Sequence, residues 1–158
     1  MIRKVNLTEI NACTDVIKKS FVPVAVKFNI SEENSPNYVA FSITPEKLKN
    51  QYCNGREMYV YLFDEHIVGY FSLNFYDNVC ELNNLCVLPE YQHNGIGKEL
   101  LTFAIQRAIN KKVDKLTLSI VEENSELKEW YSSFGFIHTH TKKYDQFSFT
   151  CGYMELKL

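Results

Sequence analysis

The residues whose types and spacing speak most directly of chemistry run Leu85-Cys86-Val87-Leu88-Pro89-Glu90-Tyr91-Gln92-His93-Asn94-Gly95-Ile96-Gly97-Lys98. A strand-like apolar run is closed by Pro89, a polar loop carries Gly95 and Gly97, and a helix-period pattern begins directly after them. The N–H groups of such a loop and of the first helical turn lack intrahelical acceptors and point one way, which makes an anion site. Glycine lets the backbone approach a phosphate closely. The chemistry that follows is binding of a phosphate or pyrophosphate on the backbone of about Asn94 to Lys98.

Two familiar phosphate motifs do not fit. The P-loop spacing has Gln92 where its first Gly belongs and Glu99 where Ser or Thr belongs. The dinucleotide pattern has Leu100 in place of its third Gly. On these residues alone, a glycine pair that only makes a tight strand-to-helix turn stands equal to a phosphate loop. Elsewhere, His138 and His140 alternate onto one strand face, but no third ligand stands at metal-binding spacing, so no metal is expected. The five cysteines (Cys13, Cys53, Cys80, Cys86, Cys151) are odd in number and form no Cys-x-x-Cys pair. They read as free thiols in a reducing, cytoplasmic compartment.

The elements that must position the loop can be read from periodicity. A short strand at Ile2–Asn6 precedes a helix starting near Thr8, with Ile10, Cys13, Val16 and Ile17 on one face, expected to kink or end at Pro23. Residues 29–36 form a loop, and Thr44-Pro45-Glu46 starts a second helix that ends near Asn54-Gly55. Three strands at 58–63, 67–76 and 79–88 make an antiparallel meander. A long helix at 95–112 places Leu100, Leu101, Ala104, Ile105, Ala108 and Ile109 on one apolar face. A strand at 115–121, a helix at 124–134 stopped by Gly135, and strands near 136–141 and 147–156 complete the chain. Strand 79–88, the long helix and strand 115–121 form a right-handed crossover, so one strand pair is parallel. The expected fold is α/β (α+β): a mixed, mostly antiparallel central sheet with helices on both faces.

Composition bounds the function. The chain of 158 residues suits one domain, residues 1–158. Net charge −2 argues against a nucleic-acid footprint. No apolar run approaches the length of a membrane span, and the N-terminus does not read as a secretion signal. The aromatic share of 14 % is high.

Gln92-His93-Asn94-Gly95-Ile96-Gly97 resembles the Gln/Arg-x-x-Gly-x-Gly/Ala signature of the GNAT N-acetyltransferase superfamily, after a strand ending Val-x-Pro and before a long helix. Asn124 through Phe136 looks like the family's second signature: an Asn, a helical Tyr seven residues on, then Gly-Phe. Glu81, eleven residues before Gln92, falls where many members carry a glutamate. The element order matches over almost the whole chain and is weakest over residues 20–55.

The resemblance implies the GNAT-like acyl-CoA N-acyltransferase fold, whose two parallel strands splay apart, and acetyl-coenzyme A as the donor. It implies that Gln92, His93, Asn94, Gly95, Ile96, Gly97 and Lys98 hold the pyrophosphate, with His93 standing where relatives often have Gly. It implies that Leu85, Cys86 and Val87 pair with the pantetheine arm like an added strand, and that Asn124 lies near that arm while capping its helix. Tyr131 would protonate the leaving thiolate and also line the cofactor site, Glu81 would accept the amine's proton directly or through water, and the Leu85 backbone would stabilise the oxyanion. The residues by themselves leave open that Tyr131 is core and that Glu81 is a solvated edge charge. The acceptor, an amine of a small molecule, amino-sugar, polyamine or protein, would be walled by the aromatic-rich segments 21–41 and 144–149. Glu32 and Glu33 read as attractors of a cation or as solvated loop charges. Dimers are common in the family. A protein that binds acyl-coenzyme A without turning it over remains the alternative.

Overall fold

The computed structural model describes all 158 residues. The elements are β1 (Ile2–Lys4), α1 (Ile10–Lys27), α2 (Val39–Ser42), α3 (Pro45–Cys53), β2 (Glu57–Phe63), β3 (His66–Tyr76), β4 (Val79–Val87), α4 (Ile96–Asn110), β5 (Lys115–Val121), α5 (Ser125–Ser132), β6 (Ile137–Lys143) and β7 (Thr150–Lys157). They build one seven-stranded sheet of order β1-β2-β3-β4-β5-β7-β6, antiparallel throughout except for the β4–β5 pair. The mixed α/β class expected from periodicity is what the chain adopts.

Each sheet face carries its own helices. On one, Leu100, Leu101, Ala104 and Ala108 of α4 and Tyr131 of α5 close over Val68, Phe71, Leu73, Leu82 and Leu116. On the other, Ile10, Cys13, Val16 and Ile17 of α1 and Leu48 of α3 cover Val60, Tyr70 and Cys86. A third, smaller cluster joins Ala25, Ile30, Tyr38, Val121 and Phe149 beside the far end of β5. No helix is long and apolar enough to cross a membrane.

Two boundaries depart from the sequence expectation, one of them the last strand, which starts at Thr150 rather than near 147. Helix α1 does not stop at Pro23 but continues to Lys27. Proline deletes one N–H and crowds the carbonyl four residues back. Both Pro23 and Lys19 lie on the exposed side of α1, so water can serve the freed carbonyl while Ala25 stays buried beneath. The single-turn α2 has no periodic signal and is missed by sequence reasoning.

Helix α4, which presents the glycine loop, is also tied to the sheet by charge. Arg107 donates from Nε (2.9 Å) and Nη2 (2.6 Å) to the two oxygens of Glu57, to which the Tyr59 hydroxyl also donates (3.0 Å). The Arg107 hydrogen bonds hold the Glu57 carboxyl below the usual carboxylate range. A carboxylate whose folded pKa is depressed contributes stability above the unfolded-state pKa and loses it as pH falls through the folded one. Glu57→Gln is therefore expected to lower unfolding free energy by about 1–2 kcal/mol at pH 7. The difference from the parent should shrink toward zero below about pH 4. Urea denaturation at both pH values checks it, and a penalty that persists at low pH contradicts it.

Candidate active site

The site begins where β4 and β5 part. Only Val79↔Lys115, Cys80↔Leu116 and Glu81↔Thr117 are paired, and beyond them the two strands diverge. A β-bulge in β4 accompanies the divergence: Tyr70 faces Cys86 and Ser72 faces Asn83, so three steps on β4 answer two on β3. Asn84 inside it has a left-handed φ of 54°, a conformation Asn tolerates better than most residues. The bulge inverts side-chain parity. Cys80 and Leu82 belong to the α4-side core, whereas Cys86 belongs to the α1-side core. Neither Asn84 nor Leu85 has a register partner on β3. Sequence reasoning missed Asn84. Its available signal was two consecutive asparagines inside a strand, where Asn is disfavoured.

Burial on the α1 side pushes the Cys86 thiol up to about 12. It stays protonated at neutral pH and is no nucleophile. Cysteines 13, 80, 86 and 151 are buried free thiols, whereas Cys53 is exposed.

A cavity of about 290 Å³ fills the fork. Its walls come from β4 (Leu82, Asn83, Asn84, Leu85), β5 (Leu118 to Val121), α5 and its cap (Asn124, Leu127, Tyr131), and two aromatic-rich segments carrying Phe21, Tyr38, Phe147 and Phe149. The structure thus brings residues 21–39 and 147–149 together at one wall. Glu32 and Glu33 are exposed and do not line it. A larger, more open depression of about 690 Å³ lies over Met1, Arg3, Glu9 and His66, and none of the candidate catalytic or cofactor-binding residues lines it.

The loop between β4 and α4 fans its backbone outward. His93 (φ 64°) and Gly95 (φ 83°) are both left-handed. Gln92 braces the loop by donating from Nε2 to the Val87 carbonyl (3.0 Å), and Asn94 Nδ2 reaches Tyr91 O (3.4 Å). The buried Ile96 anchors the start of α4 in the core. No backbone N–H from His93 through Lys98 donates within the protein; the first to do so is Glu99, to the Gly95 carbonyl (3.1 Å). Six consecutive free donors at a helix N-terminus form a concave anion site. The Lys98 side chain is exposed beside it. Gly97 packs toward Trp130, where a Cβ would stand 3.5 Å from the indole in ordinary contact.

Tyr131 is 5 % exposed and lines the cavity. Its ring packs edge-on against Trp130 (5.0 Å) and Phe136 (5.5 Å). Burial first, and Cys86 second, raise its phenol above the usual tyrosine range, so it carries its proton at neutral pH. Asn124 caps α5, its Oδ1 accepting from Leu127 N (3.2 Å), and also lines the cavity. Glu81 is the last paired residue of the fork; its carboxylate accepts from the Tyr76 hydroxyl (3.4 Å) and lies outside the cavity lining. His138 pairs with Glu122 (2.9 Å) and His140 stacks on Tyr153 (4.5 Å). No three His, Cys, Asp or Glu side chains converge as metal ligands.

Residues 27–136 match the profile of the acetyltransferase (GNAT) family. A spermidine N(1)-acetyltransferase of Thermoplasma acidophilum is 27 % identical over 140 residues, 85 % of this chain and 86 % of the relative. The crystal structure of PaiA N-acetyltransferase from Thermoplasma acidophilum in complex with coenzyme A superposes with a TM-score of 0.85 at 25 % identity, covering 100 % of this chain and 98 % of that one. The ribosomal-protein-alanine N-acetyltransferase of Brucella melitensis shares the fold, with a TM-score of 0.77 at 22 % identity and coverage of 100 % and 99 %.

The left-handed His93 yields a direct test of the loop geometry. A non-glycine residue held there stores strain that glycine would release, partly offset by glycine's larger unfolded-state entropy. His93→Gly is expected to raise unfolding free energy by about 0.5–1 kcal/mol in urea denaturation. A loss of stability contradicts the assigned backbone conformation.

Proposed function

The chain belongs to the acetyltransferase (GNAT) family, and from that premise we propose that it moves the acetyl group of acetyl-coenzyme A to a primary amine by direct transfer in a ternary complex. The observation that carries the reading is the run of unpartnered N–H groups from His93 through Lys98 standing next to the open fork of β4 and β5. In this reading the donor's pyrophosphate sits on those amides, with Lys98 adding a cation. The pantetheine arm, an extended amide chain, pairs along Leu85, Cys86 and Val87 on the edge that β5 leaves free. One lone pair of the Val87 carbonyl is already taken by Gln92, and a carbonyl can accept a second bond. Asn124 flanks the arm on the opposite side of the cavity.

The chemical steps follow from the groups around the fork. The neutral amine nitrogen attacks the thioester carbon, forming a C–N bond and placing negative charge on the carbonyl oxygen. Leu85 stands outside the β3 register, and in this reading its backbone N–H is the donor to that oxygen. Collapse breaks the C–S bond, and the thiolate takes the proton of Tyr131, whose buried phenol makes no hydrogen bond within the protein to compete. Glu81 takes the proton lost by the amine. Its carboxylate lies outside the cavity walls, so the transfer runs through water rather than by contact.

The acceptor is an amine of a small molecule or protein. A relative named for spermidine puts small-molecule amines within the family's reach. A binding protein without turnover needs neither Tyr131 nor Glu81 at these positions, which favours the enzyme.

Tyr131→Phe removes only the hydroxyl and keeps the ring packing. It is expected to lower kcat by at least about tenfold while leaving acetyl-coenzyme A affinity nearly unchanged. Thiol release measures the first and calorimetry the second. Equal turnover in both forms removes Tyr131 from the mechanism.

A further inference from the structure

The cavity in the fork carries no charge. None of its nineteen lining residues is Asp, Glu, Lys, Arg or His; its polar members are the tyrosines and the neutral Asn37, Asn83, Asn84, Ser119 and Asn124. The carboxylates around it are engaged elsewhere. Glu122 is paired with Lys128 and with His138, Glu123 accepts from Thr150 N (3.3 Å), and Glu81 is bonded to Tyr76 outside the lining.

The wall away from β4 is aromatic, and its rings are spent on one another. Phe147 stacks on Phe149 (4.8 Å, 23°), Tyr38 meets Phe149 edge-on (5.4 Å, 80°), and Phe21 meets Tyr38 likewise (6.4 Å, 83°). This is a hydrophobic wall of rings packed on one another, with no carboxylate in the lining to hold a cation. Burial alone raises the Tyr38 phenol above its ordinary range, with no charged neighbour contributing.

A polyamine brings more than one ammonium. One nitrogen must shed its proton to react, but the others stay charged, and an unpaired charge inside an uncharged, poorly solvated wall is strongly disfavoured. A protein N-terminus brings a polar peptide backbone whose amides need partners of their own. A monoamine on an apolar carbon skeleton brings neither cost, and its skeleton gains by burial against the rings. The cavity, about 290 Å³, must also admit the thioester end of the donor, so the skeleton is compact. At the fork itself Asn83 has a free side-chain amide: its Nδ2 is buried and has no partner.

Resting on the reading of the site as an acetyl-coenzyme A-dependent N-acetyltransferase, we propose that the acceptor is a monoamine carried on a compact apolar or aromatic skeleton. The amine enters as the free base between the Phe21–Tyr38–Phe147–Phe149 wall and the β4 bulge, next to Asn83. The amine's neutral nitrogen forms the C–N bond as the C–S bond breaks; the proton shed by the new amide nitrogen passes through water to Glu81, and the thiolate takes the proton of Tyr131, which is restored from Glu81 through water.

Steady-state kinetics with acetyl-coenzyme A and phenethylamine, isoamylamine, spermidine and an alanine-initiated peptide test it. The expected result is a kcat/KM for phenethylamine at least about tenfold above that for spermidine or the peptide. Phe147→Ala, at a half-buried position, should lower the phenethylamine value about tenfold with donor affinity unchanged. Val24→Glu, which puts a carboxylate on the wall, should shift the phenethylamine-to-spermidine ratio at least about tenfold toward spermidine. Spermidine or the peptide equal to or better than phenethylamine overturns the proposal, and so does turnover of none of the four. Calorimetry with acetyl-coenzyme A separates the two levels: retained binding with the wrong order of amines strikes only the acceptor class, and absent binding strikes the acetyltransferase reading beneath it.

Discussion

Everything in the site depends on β4 and β5 staying paired for only three residues. A parallel pair that continued to the ends of both strands would close the sheet and leave neither a cavity nor a free edge. Past Glu81 and Thr117 the strands instead belong to different neighbours. β4 follows β3 through the bulge at Asn84, and β5 follows β7 through seven uninterrupted partners from Lys115 to Val121. The bulge twists the bulged strand away from its old course, the usual effect of one extra residue. The β4–β5 gap is therefore held open by good pairing on its two outer sides rather than by local disorder.

The same fork sets the order of groups along the cavity. In the proposed reading, donor contacts fall to the β4 edge and the start of α4 and acid chemistry to α5, while the apolar wall comes from α1, α2 and the segment before β7. Helix α4 can leave its first N–H groups unpaired because the rest of its length is secured, by Leu100 and Leu101 in the core and by Arg107 on Glu57. The preorganisation is structural: the free N–H groups already stand in position, so an anion bound there would not have to order them.

Much of this was legible in the residues. Alternation and helical spacing located the strands and long helices, because burial of one face imposes a period that composition reveals. The glycine pair, the cap at Asn124 and the buried Tyr131 announced themselves through residue type and place. Other features did not, for physical reasons. The continuation of α1 through Pro23 depends on which side of the helix faces water, a tertiary fact. The left-handed states of Asn84 and His93 fall on residue types that tolerate such a φ but seldom need it, so their identity alone does not mark them. The convergence of Phe21 and Tyr38 with Phe147 and Phe149 joins segments more than a hundred residues apart; it is expected from the family resemblance, not from any local pattern. That Glu81 sits outside the cavity walls likewise emerges only from the fold.

The central claim is that the free amides of the β4–α4 loop and the free edge of β4 together receive the donor. Backbone amide hydrogen exchange of the protein with and without saturating coenzyme A, saturation being established separately by calorimetry, addresses both halves at once. The account predicts slowed exchange in His93–Lys98, whose N–H groups have no acceptor within the protein, and at the edge of Leu85–Val87 that faces the fork, because the ligand supplies acceptors there. Unchanged exchange in those two segments under saturation would contradict it.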